Sequence, residues 1–159
     1  MILDKNYKGL EFKNGHYIYD GDIETTENLE IKLDDWLEVT GYIEAGGYIE
    51  AGESIEAGEY IKAGESYGIS AALYITAKDT ISCGLKIFAG ICTWRNTEDS
   101  DKTITCSKLL SGTVEYGILK ETGEAKKKIT IDGKEIEISL ESFEALKKSL
   151  DNDQTEEGG

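Results

Sequence analysis

The sequence has no proline, one histidine, one arginine and three cysteines, and each scarcity excludes something. Without proline, sharp corners fall to glycine, of which there are 18, or to asparagine and aspartate, which tolerate a left-handed backbone. Cys83, Cys92 and Cys106 are odd in number and show no C-x-x-C spacing. Neither a disulfide framework nor a zinc knuckle is therefore expected, and the thiols read as reduced and packed. Positive charge is also short. The 17 basic residues face 32 acidic ones, a formal charge of -15 that disfavours nucleic acid or an anionic membrane as partner and favours a basic protein surface or a cation. No apolar run approaches the roughly 18 residues of a membrane span. The opening MILDKNYKGLEFKNG has no apolar signal core, so a cytoplasmic protein is expected. The apolar share, 39%, is enough to build a core, and the length suits one domain with terminal additions.

What is present is a repeat from Val39 to Ala89. An aliphatic residue followed two places later by a small one recurs at Leu37/Val39, Ile43/Ala45, Ile49/Ala51, Ile55/Ala57 and Ile61/Ala63. After a two-residue slip at 65–68 it resumes at Ile69/Ala71, Ile75/Ala77, Ile81/Cys83 and Ile87/Ala89. Tyr42-Ile43-Glu44-Ala45 alternates out and in, the period of a half-buried strand, and Gly46-Gly47 then turns the chain. A helix is excluded, because six is no helical period and a glycine at every sixth place would cost about 1 kcal/mol each time. The expected fold is an all-β solenoid, a β-helix of hexapeptide repeats that closes after three hexads if triangular or after two if flattened. The triangular form stacks residues 18 apart, or 20 apart across the slip. It sets Tyr42 on Tyr60, Glu44 on Lys62 and Lys32 on Glu50, about 4.8 Å apart. Glu38 over Glu56 is then a like-charge exception.

The flanks read as caps. Leu10 and Phe12 face Tyr17 and Tyr19 across Asn14-Gly15, a two-residue hairpin turn, so residues 1–30 form an N-terminal hairpin and cap. Residues 31–119 hold the repeat and the strands after it, with Ile91 to Arg95, Thr103 to Cys106 and Gly112 to Leu119 expected as strands and 96–102 as an exposed loop. Residues 126–150 form a ββα unit: two strands around Asp132-Gly133 place Ile129 opposite Ile136 and Lys128 opposite Glu137. Ser139 then caps a helix from Leu140 to Leu150, with Lys147 and Lys148 late and an apolar stripe of Leu140, Phe143, Leu146 and Leu150. A unit so small must pack on the solenoid's end or on another copy of itself. The acidic tail 151–159 is expected to be disordered.

No signature of enzymatic chemistry is found. G-x-S-x-G, the P-loop and H-E-x-x-H are absent. The hexad period is shared with left-handed β-helix acyltransferases, which use a histidine at the coil edge, whereas His16 falls in the expected N-terminal turn as an exposed tip residue. Their small inward residue also precedes the aliphatic one by two places, and here it follows. The β-roll calcium pattern G-G-x-G-x-D is missing, so no metal or other cofactor is expected.

The surface is the better lead. Glu44, Glu50, Glu53, Glu56 and Glu59 lie within one expected coil that has no basic residue, with Tyr42, Tyr48 and Tyr60 beside them as aromatic anchors. A rigid acidic rod could fill the basic channel of a nucleic-acid enzyme, as pentapeptide-repeat β-helices do, a resemblance of architecture only. The tandem IEAG-GY-IEAG-ES-IEAG, with LKIFAGICTWR, TITCSKLLSGTVEYG and the ending KKKITIDGKEIEISLESFEALKKSL, resembles small repeat proteins encoded by phages and prophages of Gram-positive bacteria. That resemblance implies a phage accessory protein in the host cytoplasm, a group that includes anti-CRISPR inhibitors. The expectation is a non-enzymatic, DNA-mimicking inhibitor that binds a host protein's basic nucleic-acid-binding surface and neither nucleic acid nor membrane. The alternative is a structural or virion-associated protein that forms a homodimer or larger assembly through its C-terminal hairpin and helix.

Overall fold

A computed structural model describes residues 1–123 and 126–156, which divide into two compact units, Met1–Gly123 and Glu124–Gly159. The first unit opens with β1 (Ile2–Leu3), β2 (Leu10–Lys13), β3 (His16–Tyr19), β4 (Ile23–Thr25) and β5 (Leu29–Ile31). The repeat supplies β6 (Leu37–Val39), β7 (Ile43–Ala45), β8 (Ile49–Ala51), β9 (Ile55–Ala57), β10 (Ile61–Lys62), β11 (Ile69–Ala71), β12 (Ile75–Ala77) and the long β13 (Thr80–Ala89). Then come β14 (Thr103–Cys106), β15 (Lys108–Tyr116) and β16 (Ile118–Glu121). The second unit is β17 (Lys126–Ile131), β18 (Lys134–Ser139) and α1 (Leu140–Glu156).

The first unit is built of short strands stacked in parallel, in a solenoid-like arrangement. From β6 to β10 each strand pairs with the third strand before it and the third after it, and the long β13, which spans two hexads, then pairs with both β10 and β11 while β14 pairs with β12; this makes three ladders. On the first, Ile23, Ile43, Ile61 and Ile81 are successive partners. On the second the order is Leu29, Ile49, Ile69 and Ile87, and on the third Tyr17, Leu37, Ile55, Ile75 and Ile104. This is the three-hexad register, not the two-hexad one. Every branched residue of these columns from Ile23 to Ile104 is essentially fully buried, and the inward place two residues on is filled by Thr25 and Ile31 in the first winding and from Leu37 onward by Val39, the alanines, Cys83 or Cys106. Strand alternation explains the pattern: one side of each three-residue strand is Ile and Ala, and the single outward side chain lies between them.

The N-terminal hairpin forms as expected, with Leu10 opposite Tyr19 and Phe12 opposite Tyr17. Asn14 and Gly15 have φ of 54° and 83°, the two positive values a tight hairpin turn needs. Leu3 and Tyr17 are buried, and Tyr7, Leu10 and Tyr19 pack against the core beside them.

Some expectations are corrected. A second two-residue slip lies between Ile31 and Leu37, so Glu30 is the partner of Glu50 and Lys32 is not. Two extra residues preserve the in-out alternation on both sides, which is why the hydrophobic pattern conceals the slip. Residues 91–95 form no strand. Gly112 to Leu119 is not one strand either: β15 and β16 are separated at Gly117, and they stack on β13 and β14. At this last register the inward Leu109 and Val114 are half-buried and Leu119 is exposed, so the core is less covered than at the N-terminal end.

In the second unit, Ile129 opposes Ile136 and Lys128 opposes Glu137, as expected. Ser139 caps α1, its Oγ accepting the Ser142 N–H at 3.1 Å. The helix continues past Leu150 through Glu156, because no glycine or proline interrupts the intervening residues; Lys147 and Lys148 therefore sit mid-helix and not in its last turn. Residues 151–156 of the expected tail are thus helical, and 157–159 lie outside the described residues. Among the described residues no helix is long and apolar enough to cross a membrane.

Candidate binding surface

The outward places of the ladders are occupied mainly by glutamates at strand centres and by tyrosines just before the strands. Glu24 and Glu44 are partners on the first ladder, with Lys62 next. Glu30 and Glu50 are partners on the second, and Glu38 and Glu56 on the third. Like charges set directly opposite each other are unfavourable. Among the described residues, Lys62 lies 3.9 Å from Glu44 and Lys32 3.2 Å from Glu30, and the His16 ring nitrogen is 2.7 Å from Glu38.

The tyrosines are tied to these acids. Tyr42 stacks on Tyr60 as the register requires, with ring centroids 4.7 Å apart and planes 4° from parallel. The Tyr42 hydroxyl donates to Glu24 at 2.8 Å, Tyr60 to Glu44 at 2.9 Å and Tyr48 to Glu30 at 2.8 Å. Each phenol thus reaches diagonally to the carboxylate of the preceding winding. The hydrogen bond to Glu24, together with burial, pushes the Tyr42 phenol up to about 12. Burial first, then Glu44, raises Tyr60 as well. The Tyr48 hydrogen bond, helped by Lys32, holds the Glu30 carboxyl below its usual range. Available to a partner on these tyrosines are ring faces and edges, since the hydroxyls are already engaged.

The expected contact residues are divided among the ladders. Tyr42, Glu44 and Tyr60 share the first, Tyr48 and Glu50 the second, and Glu56 belongs to the third. Glu53 and Glu59 lie in the corners after β8 and β9. No single ladder gathers them all.

The third ladder holds the cluster that sequence reasoning missed. His16 is not an exposed turn tip: it is the first residue of β3, 8% exposed. Its ring stacks on Trp36 at 3.7 Å and 5°, and its Nε2 is 2.7 Å from Glu38 Oε2. The register carries the column before the strands from His16 through Trp36 and Ser54 to Tyr74. Ser54, small between two large rings, is 2% exposed, and its Oγ makes no hydrogen bond among the described residues. The available signal was the spacing, since His16 and Trp36 are 20 residues apart and each precedes an inward residue. No family model, curated protein or solved structure matches this chain.

A histidine held by a carboxylate is half of an acid–base device, but Ser54 is two register steps from His16, with Trp36 between them, so the hydroxyl and the imidazole do not meet. What the cluster does offer is uncompensated negative charge. Burial, and after it the Glu38 charge, raises the Glu56 carboxyl above its ordinary value. A raised carboxyl binds its proton more tightly in the folded state, so its contribution to stability is present at low pH and lost as pH rises through the raised value. Glu56→Gln is accordingly expected to melt a few degrees higher than the parent at pH 7, with the gap closing towards pH 4; equal melting temperatures across that range would refute the like-charge strain. Asp34 titrates in the opposite sense. Tyr17 and Lys5 hold its carboxyl down to about 2, so its contribution persists above the ordinary carboxylate range and fades only as pH falls towards that value.

Proposed function

We propose that this chain is a non-enzymatic binding protein of phage origin. In this reading its ladders close into a triangular β-helix, an acidic rod that occupies the basic nucleic-acid-binding surface of a host defence enzyme and inhibits it as a DNA mimic. The observation that carries it is the in-register stacking of carboxylates on all three ladders, Glu24 on Glu44, Glu30 on Glu50 and Glu38 on Glu56. Over the two windings that hold these six carboxylates, three ladders with one carboxylate per winding of about 4.8 Å give one charge per ~1.6 Å of axis, against one per ~1.7 Å for duplex DNA; Lys62, Ser70 and Thr76 follow in the next winding. Stacking like charges opposes folding, so a compensating cationic partner accounts for the arrangement better than solubility does. The contacts are assigned to Glu44, Glu50, Glu53, Glu56 and Glu59, with Tyr42, Tyr48 and Tyr60 as flat aromatic surfaces.

The test is capture from host lysate at low salt, with the triple variant Glu50→Lys, Glu53→Lys, Glu56→Lys beside the parent. Glu50→Lys and Glu56→Lys turn like-charge partners into opposite ones, so the variant is expected to melt no lower than the parent while losing a basic, DNA-processing partner. Capture of no such partner, or unchanged capture by the folded variant, refutes the mimic.

A second reading has its own observation. Ile131, Ile136, Leu146 and Leu150 of the ββα unit are exposed, which suits a structural or assembly protein that self-associates through this unit. Sizing separates the two: filaments or large rings favour assembly, and a monomer or compact dimer favours the inhibitor.

A further inference from the structure

We propose that the outward face of Trp36, Glu38 and Glu56 on the third ladder, with Ser54 and Tyr74 beside it, is a guanidinium subsite that takes an arginine side chain of the protein partner. It rests on the binding function proposed above and names the chemistry of one point of contact.

Glu38 and Glu56 are register partners with Ser54 in the adjoining column, and Glu38 Oε1, both Glu56 carboxylate oxygens and Ser54 Oγ make no hydrogen bond or ion pair among the described residues. Glu38 Oε2 is the exception, held by His16 Nε2 at 2.7 Å. That bond fixes the Glu38 carboxylate in place and leaves its other oxygen free. Glu56, its register partner, has a neighbouring negative charge and partial burial but no cation of its own. Ser54 Oγ is an independent sign of an unfilled place, because a hydroxyl at 2% exposure without a partner is costly and uncommon.

The ring column decides between cations. His16 covers one face of Trp36, and Ser54 occupies the next register place, where another ring would otherwise stack; Tyr74 follows one step further. A planar guanidinium presents five N–H donors in a fixed fork and stacks on aromatic rings, so it can satisfy two carboxylates and lie against indole at once. A lysine ammonium is a compact point charge with three donors, and it matches the carboxylates but not the planar geometry.

The experiment titrates the full chain with octa-arginine and octa-lysine at the same ionic strength by calorimetry. Trp36 emission is followed in a Trp94→Phe background, since Trp94 is exposed in the irregular segment after β13. Octa-arginine is expected to bind about tenfold more tightly than octa-lysine and to change Trp36 emission. Glu56→Gln and Trp36→Leu should each bring the ratio close to one, with Trp36→Leu leaving octa-lysine affinity unchanged because no charge is removed. Equal binding of both peptides to the parent, or an arginine preference that survives both substitutions, overturns the subsite while the acidic binding surface stands. Failure of both peptides to bind at low salt overturns the binding function and the subsite together.

Discussion

Ile61→Asp is expected to abolish the cooperative fold of the stacked unit. Ile61 is fully buried and lies between Ile43 and Ile81, its partners on either side. Removing a buried branched side chain costs about 2–5 kcal/mol through lost burial and the cavity left behind. The aspartate adds a buried carboxyl with no partner, a penalty of several kcal/mol whether it stays charged or takes up a proton. Together these approach or exceed the roughly 5–15 kcal/mol that hold a typical domain. The defect is not local, because each winding is the template for the next. Ile61→Val, which removes one methylene and keeps the branch, should cost only about 0.5–1.5 kcal/mol. Thermal melting followed by circular dichroism decides the matter; an Ile61→Asp protein with a sigmoidal transition near that of the parent would contradict the assigned core.

Gly84→Ala is expected to have the second largest effect, and Gly52→Ala almost none or a small gain. A Cβ on Gly84 would overlap the carbonyl carbon and oxygen of Glu65, backbone that cannot step aside without moving the corner below it. Overpacking of this kind costs typically about 1–3 kcal/mol and here falls at the upper end or beyond. Gly52 belongs to the same IxAG motif as Gly46, Gly58 and Gly64, whose added Cβ atoms would each meet a backbone carbonyl of the winding below. At Gly52 the nearest atoms, the Ile31 and Leu33 carbonyl oxygens, are 3.8 Å away. Two extra residues lie in that lower corner, between Ile31 and Leu37. Alanine in place of Gly52 should stabilise by up to about 1 kcal/mol, by restricting the unfolded chain. Chemical denaturation of both variants tests the pair; a Gly52→Ala as damaged as Gly84→Ala would show that the corners are equivalent after all.

The position of these slips separates what could be read from the residues and what could not. The hexad count, the inward Ile and Ala, Tyr42 over Tyr60, Glu44 over Lys62, Glu38 over Glu56 and both hairpins are all visible from local spacing. Lys32 over Glu50 failed because the LDDW stretch, which holds the earlier slip, has no distinctive composition. The burial of His16 is hidden from the sequence for a related reason: its neighbour across the ladder is Trp36, 20 residues away, and the turn dipeptide beside it points to exposure.

By itself, then, the sequence determined the period, the parity and the core. Alternation of apolar and polar residues is a local property, and it survives any even-numbered insertion in a corner. Only the tertiary structure decided which outward side chains share a column, because that depends on summed loop lengths around each winding. It set Glu30 on Glu50, paired the Tyr42, Tyr48 and Tyr60 hydroxyls with the acid one winding earlier, and buried His16 between Trp36 and Glu38. The physical reason is that stacking converts a shift of two residues along the chain into a change of partner about 4.8 Å away across it, while every side chain keeps the face it had.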